Sequence, residues 1–164
     1  MRGLKVYGPP GRAAEMKGRI DRARQWIMAA RPATAEDRNM QLLGLHWAGA
    51  DEPALRKLAG AIVAAQRADG GWSQRAELPS DAYATGESLF ALAEAKCIEP
   101  AGPVYQKGVK YLLSTQRADG SWHVRSRAPK FQPYFESGFP YGHDQWISST
   151  ATGWATMALA LAMD

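Results

Sequence analysis

Apolar residues recur along most of the chain every three or four positions, which is the spacing of an amphipathic helix. The clearest series are Leu55, Leu58, Ile62 and Ala65, and Val104, Val109, Leu112 and Leu113. No segment alternates apolar and polar residues with the period of two that a strand requires. The pattern predicts a single all-α domain over residues 1–164, with six helices paired as three helical hairpins. The hairpins cover about 12–49, 52–96 and 102–163.

Two segments occur twice along the chain. The sequence AAQRADGGW at 64–72 matches STQRADGSW at 114–122, and ATGESLFALA at 84–93 matches ATGWATMALA at 151–160. The first pair is 50 residues apart and the second pair is 67 apart, so the later copy contains 17 additional residues. A period of this size marks repeated supersecondary units. We therefore predict equivalent hairpins and an insertion over about 124–146.

The first repeated segment has the residues of a helix stop followed by a covering aromatic ring. An Asp-Gly pair after a helix supplies a left-handed cap, because glycine tolerates positive φ. A glutamine near that end can bond to the free backbone groups, and a tryptophan can cover the turn while its N–H finds a partner. These features predict a structural staple between hairpins. Its residues are Gln66, Gly70 and Trp72 in one copy and Gln116, Gly120 and Trp122 in the other.

The segment KGVKYLLSTQRADGSW at 107–122 resembles the QW motif of the squalene–hopene cyclase and oxidosqualene cyclase family, within the prenyltransferase and squalene cyclase repeat superfamily. The copy ending at Trp72 has Leu58 where the motif has glycine, so we expect Trp122 to contribute more to stability than Trp72. The segment at 131–146 resembles a stretch of cyclase-like bacterial proteins. The resemblance implies an α/α toroid segment of three hairpins, about half of a six-hairpin barrel around an apolar cavity.

The chemistry that the resemblance implies depends on one short motif. Family cyclases protonate an alkene, an isomerase-type reaction, with an acid in an Asp-x-Asp-Asp-Thr motif at the start of an inner helix. Here the sequence DAYAT at 81–85 keeps Asp81, but Tyr83 stands where the central acid belongs. Glu36 and Asp37 occupy the equivalent place in the first hairpin. The resemblance thus implies a cyclase-like scaffold with a degenerate acid motif, and the same carboxylates also suit helix N-termini.

The insertion is rich in aromatic residues: Phe131, Tyr134, Phe135, Phe139, Tyr141 and Trp146. In one interpretation these rings and Tyr83 line or close a ligand cavity, with His143 and Asp144 as a proton-handling pair. In the other, a proline-fixed loop covers a helix surface. No second His or Cys stands at ligand spacing from His143, so we predict no metal site and no cofactor.

Charge is concentrated near the start of the chain. The net charge is +4, and residues 1–31 hold eight Lys and Arg against two acids, which gives +6 there and −2 over the rest. Such a segment could meet anionic lipid or nucleic acid. The apolar stripe that includes Ile20 and Ile27 favours a solvated helix face instead. With no nucleic-acid motif in the sequence, we expect no nucleic-acid partner.

Two further features concern compartment. The single cysteine, Cys97, excludes an internal disulfide framework. The first residues lack the apolar region of a signal peptide, and the apolar run Trp154–Met163 is shorter than the roughly 20 residues of a membrane span. The localisation that these features favour is cytoplasmic or peripheral to a membrane.

Three function classes remain open from the sequence. The first is a terpenoid-cyclase-like module that binds an apolar, isoprenoid-class ligand. The second is a non-catalytic interaction domain or a fragment of a longer cyclase-like protein. The third is a polysaccharide lyase-like enzyme on a toroid. The last helix is apolar almost all the way round, so we expect a homodimer, or the remainder of a longer chain, to cover it.

Overall fold

The computed structural model describes residues 1–129 and 135–163, and within those ranges it contains seven α-helices and no strand. The all-α class is thereby confirmed. The helices are α1 (Arg2–Tyr7), α2 (Ala13–Ala29), α3 (Ala35–Ala48), α4 (Glu52–Ala64), α5 (Ala82–Glu94), α6 (Pro103–Thr115) and α7 (Gln145–Leu161). Two short 3-10 turns lie at Pro10–Arg12 and Gly142–Asp144. The six longer helices follow the predicted order along the chain. Of the three predicted pairs, α2 packs against α3 and α6 against α7, whereas α4 packs against α3 rather than against α5.

Two helix boundaries differ from the sequence prediction. The short helix α1 was not predicted. It contacts a residue distant in sequence, because Arg2 Nη1 donates to Glu94 Oε1, at the end of α5, at 3.1 Å. Helix α7 begins at Gln145, six residues before the repeated segment that predicted its start. It grows directly out of the 3-10 turn that follows Tyr141, whose φ of 86° ends the preceding loop. The last residues of the predicted insertion therefore belong to α7.

Helices α3, α5 and α7 lie side by side, with α5 between the other two, and we call them the central helices. The flanking helices α2 and α4 pack against α3, and α6 packs against α5 and α7. Helix α5 is the centre of the core, because it has neighbours on three sides and most of its residues are buried. The largest fully buried apolar residues are Trp72, Trp122, Tyr105, Leu42, Leu43, Leu45, Leu89, Leu92 and Leu112.

Side-chain caps fix where α3 and α5 begin. The Thr34 hydroxyl accepts from the N–H of Asp37 at 3.1 Å, and the Asp37 carboxylate accepts from the N–H of Thr34 at 2.9 Å, a reciprocal capping box. Asp81 accepts in the same way from the N–H of Ala84 at 2.9 Å. Thr34 and Asp81 are therefore equivalent positions in consecutive hairpins, 47 residues apart.

The basic first hairpin forms a solvated helix face. On α2, Glu15 pairs with Arg12 and Arg19, and Asp21 pairs with Lys17 and Arg24. These pairs lie on the outside of the helix, while Ile20 is buried. None of the helices in the described parts of the chain is both long and apolar enough to span a bilayer.

Candidate functional site

The first staple ties together a helix end, a turn and a central helix. Gln66 Nε2 donates to the carbonyl of Gly70 at 2.9 Å, across the turn. Trp72 is 1% exposed, and its indole N–H donates to the carbonyl of Ile62 in α4 at 2.7 Å. The backbone N–H of Trp72 donates to the Thr85 hydroxyl in α5 at 2.9 Å.

The second staple repeats these contacts one by one. Gln116 Nε2 donates to the carbonyl of Gly120 at 2.9 Å. Trp122 is 2% exposed, and its indole N–H donates to the carbonyl of Leu112 in α6 at 2.9 Å. Its backbone N–H donates to the Thr152 hydroxyl in α7 at 3.1 Å. All six predicted staple residues therefore have contacts within the scaffold.

A small cavity of about 140 Å³ lies between the N-terminal ends of α3 and α5. Its wall includes Thr34, Glu36, Gln74, Tyr83 and Glu87. Two residues predicted from the sequence, Glu36 and Tyr83, thus meet at this cavity. Two further ionisable wall residues, Arg75 and Glu87, were not predicted from the sequence.

Glu87 is a carboxyl group without solvent exposure in the centre of α5. Its Oε2 accepts from Asn39 Nδ2 of α3 at 2.9 Å, and the same nitrogen donates to Ser88 Oγ at 3.0 Å. Its Oε1 has no hydrogen-bond partner among the described residues. Burial raises the pKa of Glu87 to about 7; the Asn39 bond lowers it, and the nearby Glu36 charge raises it further. Glu87 therefore carries its proton over part of the neutral pH range.

Tyr83 stands next to this acid and remains a neutral phenol. Burial raises its pKa to about 12, and the negative charges of Glu87 and Glu36 act in the same direction. The Trp154 side chain of α7 acts in the opposite direction and lowers the pKa of the Tyr83 hydroxyl. The Tyr83 phenol, the Glu87 carboxyl and the Trp154 indole thus lie close together where α5 meets its neighbours.

The other two carboxylates predicted here serve as helix caps. Asp81 accepts from the N–H of Ala84 and also from Gln74 Nε2 at 2.7 Å. Burial raises the pKa of Asp81, while both hydrogen bonds lower it. Asp37 belongs to the capping box of α3, and its hydrogen bonds with Thr34 and Ala33 lower its pKa. Neither carboxylate lines the cavity, so the capping interpretation describes both.

The described aromatic residues of the insertion lie away from this cavity wall. Tyr141 stacks on His123 with ring centroids 4.7 Å apart, and Phe139 lies beside Tyr141. Phe135 and Trp146 are exposed, and the Trp146 indole N–H donates to the carbonyl of Phe135 at 3.2 Å. None of these four rings lines the cavity beside Tyr83. Phe131 and Tyr134, the other two predicted ligand contacts, lie outside the described residues.

Asp144 connects the end of the insertion to the second staple. Its Oδ2 lies 2.8 Å from His123 Nε2, and its Oδ1 accepts from the N–H of Ser126 at 2.8 Å. The His123 bond, followed by the Ser126 bond, lowers the pKa of Asp144. His143 precedes it in the 3-10 turn and is exposed. Asp144 thus pairs with His123, which was not predicted from the sequence.

A wider, open groove of about 840 Å³ runs between α4 and the N-terminal end of α3. Its charged wall residues are Arg38, Arg67, Arg75 and Glu77. Arg67 is engaged within the scaffold, because its Nη2 donates to the carbonyl of Ala76 at 2.7 Å. Alanine side chains form much of the remaining wall.

The chain matches no protein-family model, and no curated protein matches it. The resemblance to the QW-motif cyclases therefore rests on the repeated segments themselves.

A signal for Glu87 was present in the repeats. Within the segment at 84–93 it is an acid inside an otherwise small and apolar helix, and its equivalent 67 residues later is Trp154. Because the two copies match at most of their positions, the change from acid to tryptophan indicates that Glu87 has a role that its counterpart does not share. Asn39 gave no such signal, because its contact with Glu87 depends on the packing of α3 against α5.

Proposed function

We propose that the chain is a terpenoid-cyclase-like module that binds an apolar, isoprenoid-class ligand through one oxygen atom of the ligand's head group. The observation that carries the proposal is Glu87, a buried carboxyl at a cavity wall with one oxygen unpartnered among the described residues. A protonated carboxyl is a hydrogen-bond donor, and with a pKa of about 7 Glu87 is protonated over part of the neutral pH range. A carbonyl or ether oxygen is the complementary acceptor.

The size of the cavity limits what enters it. A volume of about 140 Å³ corresponds to roughly four or five waters at about 30 Å³ each, so it receives a head group and not a whole polyprene. The rest of the ligand then lies against apolar surface outside the cavity. Phe90 and Trp154 supply such surface at the contact between α5 and α7, with ring centroids 5.5 Å apart.

The proposal concerns binding and not cyclisation. In the cyclase resemblance an acid protonates an isolated alkene, which requires a strong acid. Glu87 has a raised pKa and is therefore a weak one, and Tyr83 with a pKa of about 12 is weaker still. We expect product analysis to find no cyclised material when the chain is incubated with squalene.

The test uses geranylacetone, an isoprenoid ketone whose oxygen can only accept a hydrogen bond. Binding is followed by tryptophan fluorescence between about pH 6 and about pH 8, where the protonated fraction of Glu87 falls about tenfold. We expect the affinity to fall with it. Glu87→Gln keeps a donor at every pH, so it should bind across the range without pH dependence. Glu87→Leu should bind at least tenfold more weakly at about pH 6.

The matched control is Glu99→Gln, an exposed loop position that should keep the parent's pH profile. Equal affinity of the parent and Glu87→Leu would contradict the proposal, as would a parent affinity that does not change with pH.

Specific observations also favour the two other function classes. The uncharged, partly exposed helix α7 favours an interaction module. The groove with Arg38, Arg67 and Arg75 has the arginines that a polysaccharide lyase-like enzyme uses against acidic sugars. Its described wall contains no His or Tyr to act as a base, and one arginine is bound to the backbone, so the groove ranks below the Glu87 cavity.

A further inference from the structure

The open groove between α4 and the start of α3 contains three arginines, and we call it the arginine groove. Arg38 and Arg67 are half-buried in its wall, and Arg75 is exposed. None of the three forms an ion pair with any described residue. Arg67 Nη2 donates to the carbonyl of Ala76 at 2.7 Å, which orients the guanidinium without neutralising it. Three arginines against Glu77, the one acid of the described wall, give the groove a net charge of +2.

The basic face of α2 differs, because acids of the same helix neutralise part of it. Glu15 pairs with Arg12 and with Arg19, at 2.8 and 2.9 Å. In the arginine groove, the Asp37 carboxylate next to Arg38 caps α3 instead. A half-buried guanidinium has lost part of its hydration, and a carboxylate from outside replaces it with charge-assisted hydrogen bonds. The arginine groove is therefore the more favourable surface for an anionic partner.

Small apolar side chains form the floor of the arginine groove. Five of them are exposed, so no other described part of the chain covers them: Ala33, Ala61, Ala64, Ala65 and Ala76. Trp72, the only aromatic residue of the described wall, is 1% exposed and offers almost no ring face on which a sugar or a base could stack. The groove thus suits a ligand that combines acidic groups with small apolar ones, as an acidic peptide does.

The second copy of the repeat contains an example of an acid bound at the corresponding wall. With the offset of 50 between the copies, Ser73 and Ala76 of the groove correspond to His123 and Ser126. Both counterparts contact a single carboxylate, that of Asp144. Its Oδ2 lies 2.8 Å from His123 Nε2, and its Oδ1 accepts from the Ser126 N–H at 2.8 Å.

An arginine of this wall is also repeated. Arg75 corresponds to Arg125, and the His123 bond and, more weakly, the Arg125 charge lower the pKa of Asp144. The carboxylate bound in the second copy therefore comes from a peptide segment of the chain itself. The first copy lacks the 17 additional residues, so its wall is open to a segment of another molecule.

We propose that the arginine groove binds an acidic peptide segment of a partner protein. Carboxylates of the peptide pair with Arg38, Arg67 and Arg75, because a guanidinium can donate to both oxygens of a carboxylate at once. Small apolar side chains of the peptide lie against the exposed alanines of the floor. This inference does not depend on the ligand of the Glu87 cavity.

The test measures fluorescence anisotropy of a labelled peptide of about ten residues in which glutamate and alanine alternate. We expect binding that weakens at least about tenfold between about 50 and about 500 mM salt, because salt screens exposed charges. The same peptide with glutamine in place of every glutamate should not bind. Equal binding of the two peptides would overturn the proposal.

Two substitutions in the groove have matched controls elsewhere in the chain. Arg38→Gln and Arg67→Gln should each weaken binding about tenfold, since each removes a charge-assisted hydrogen bond. Arg22→Gln changes an exposed arginine of α2, and Arg117→Gln changes the exposed counterpart of Arg67 in the second copy. Both controls should bind as the parent does, and circular dichroism checks that all four variants are folded. Groove variants that bind like their controls would contradict the proposal.

A third groove substitution should act in the opposite direction. Glu77→Gln removes the acid that repels the peptide, so binding should become about threefold tighter. A folding defect would not produce such a gain. Binding that stays the same or weakens would count against this groove as the site.

Two other polyanions test the class of the partner. An oligogalacturonate and a single-stranded oligothymidylate of the same charge should bind at least about tenfold more weakly than the peptide, because the groove exposes no ring for stacking. If either binds as tightly as the peptide and loses affinity in Arg38→Gln, the assignment to an acidic peptide is wrong.

Discussion

The two staples have nearly the same sequence and the same internal hydrogen bonds, but among the described residues only the first packs against a following hairpin. Gln66 Nε2 donates a second bond to the carbonyl of Val104, at the start of α6, at 2.9 Å. Its counterpart Gln116 is exposed, and its side-chain nitrogen has only the bond to Gly120 among the described contacts. The motif therefore specifies the turn, whereas the link between hairpins requires that the next hairpin be present.

The staple glycines repeat this difference. Gly70 has φ of 87° and Gly120 has φ of 84°, so both use the left-handed conformation that glycine favours. A Cβ at Gly70 would lie 2.5 Å from the carbonyl oxygen of Lys107, whereas at Gly120 the nearest atom is the Gln116 side chain at 4.0 Å. The turn of the first staple therefore packs against α6 as well as against its own hairpin, whereas the turn at Gly120 has a neighbour only in its own hairpin.

The largest effect should come from the tryptophans. Trp72→Ala and Trp122→Ala remove equally buried rings, each at a cost of about 3–5 kcal/mol in the free energy of unfolding. Because the staple of Trp72 joins two hairpins, its loss should cost more, opposite to the order that the complete motif around Trp122 predicts. Urea denaturation of both variants measures this. A larger loss for Trp122→Ala would contradict the comparison.

The next effect concerns Glu87, whose counterpart in the terminal copy is Trp154. Below pH 4.5, the ordinary pKa of a glutamate, the carboxyl is protonated whether the chain is folded or unfolded. Between 4.5 and about 7 only the folded state keeps the proton, so stability falls as pH rises through this window. The free energy of unfolding falls by about 3 kcal/mol across this window.

Glu87→Gln isolates this contribution. It should resemble the parent near pH 4 and be more stable than the parent near pH 8, as followed by urea denaturation at both values. A difference between the two proteins that stays constant with pH would be inconsistent with a raised Glu87 pKa.

A smaller effect separates the two glycines. Gly120→Ala should cost about 1–2 kcal/mol for the left-handed conformation alone. Gly70→Ala should cost at least about 1 kcal/mol more, because its Cβ also meets a backbone carbonyl that cannot move freely. Thermal melts of the two variants measure this difference. Equal shifts in melting temperature would contradict it and would show that α6 moves aside for the added methyl group.

The smallest expected effect separates the glutamines. Gln66→Ala removes two hydrogen bonds at a half-buried site and should cost about 1–2 kcal/mol. Gln116→Ala removes one at an exposed site and should cost about 0.5 kcal/mol. Chemical denaturation resolves these values, and a Gln116 loss as large as that of Gln66 would weaken the comparison.

The sequence predicted the features that depend on near neighbours. The helices follow from apolar periodicity, the helix-start roles of Asp37 and Asp81 from short-range bonds, and the staples from a turn that closes within seven residues. Glu87 was missed because its environment is made by α3, distant in sequence. The start of α7 was misplaced because the repeated segment covers only its later part, while the turn after Tyr141 begins the helix earlier.

Hydrogen exchange of the two staple indole N–H groups tests the central comparison most directly. Both are buried and both donate to a carbonyl, at 2.7 Å for Trp72 and 2.9 Å for Trp122, so their local protection is nearly the same. Their exchange then reports how readily each copy opens. NMR, with signals assigned by Trp→Phe variants, should find the Trp72 indole exchanging at least tenfold more slowly than that of Trp122. Equal rates, or faster exchange at Trp72, would contradict the account that a following hairpin secures the first staple.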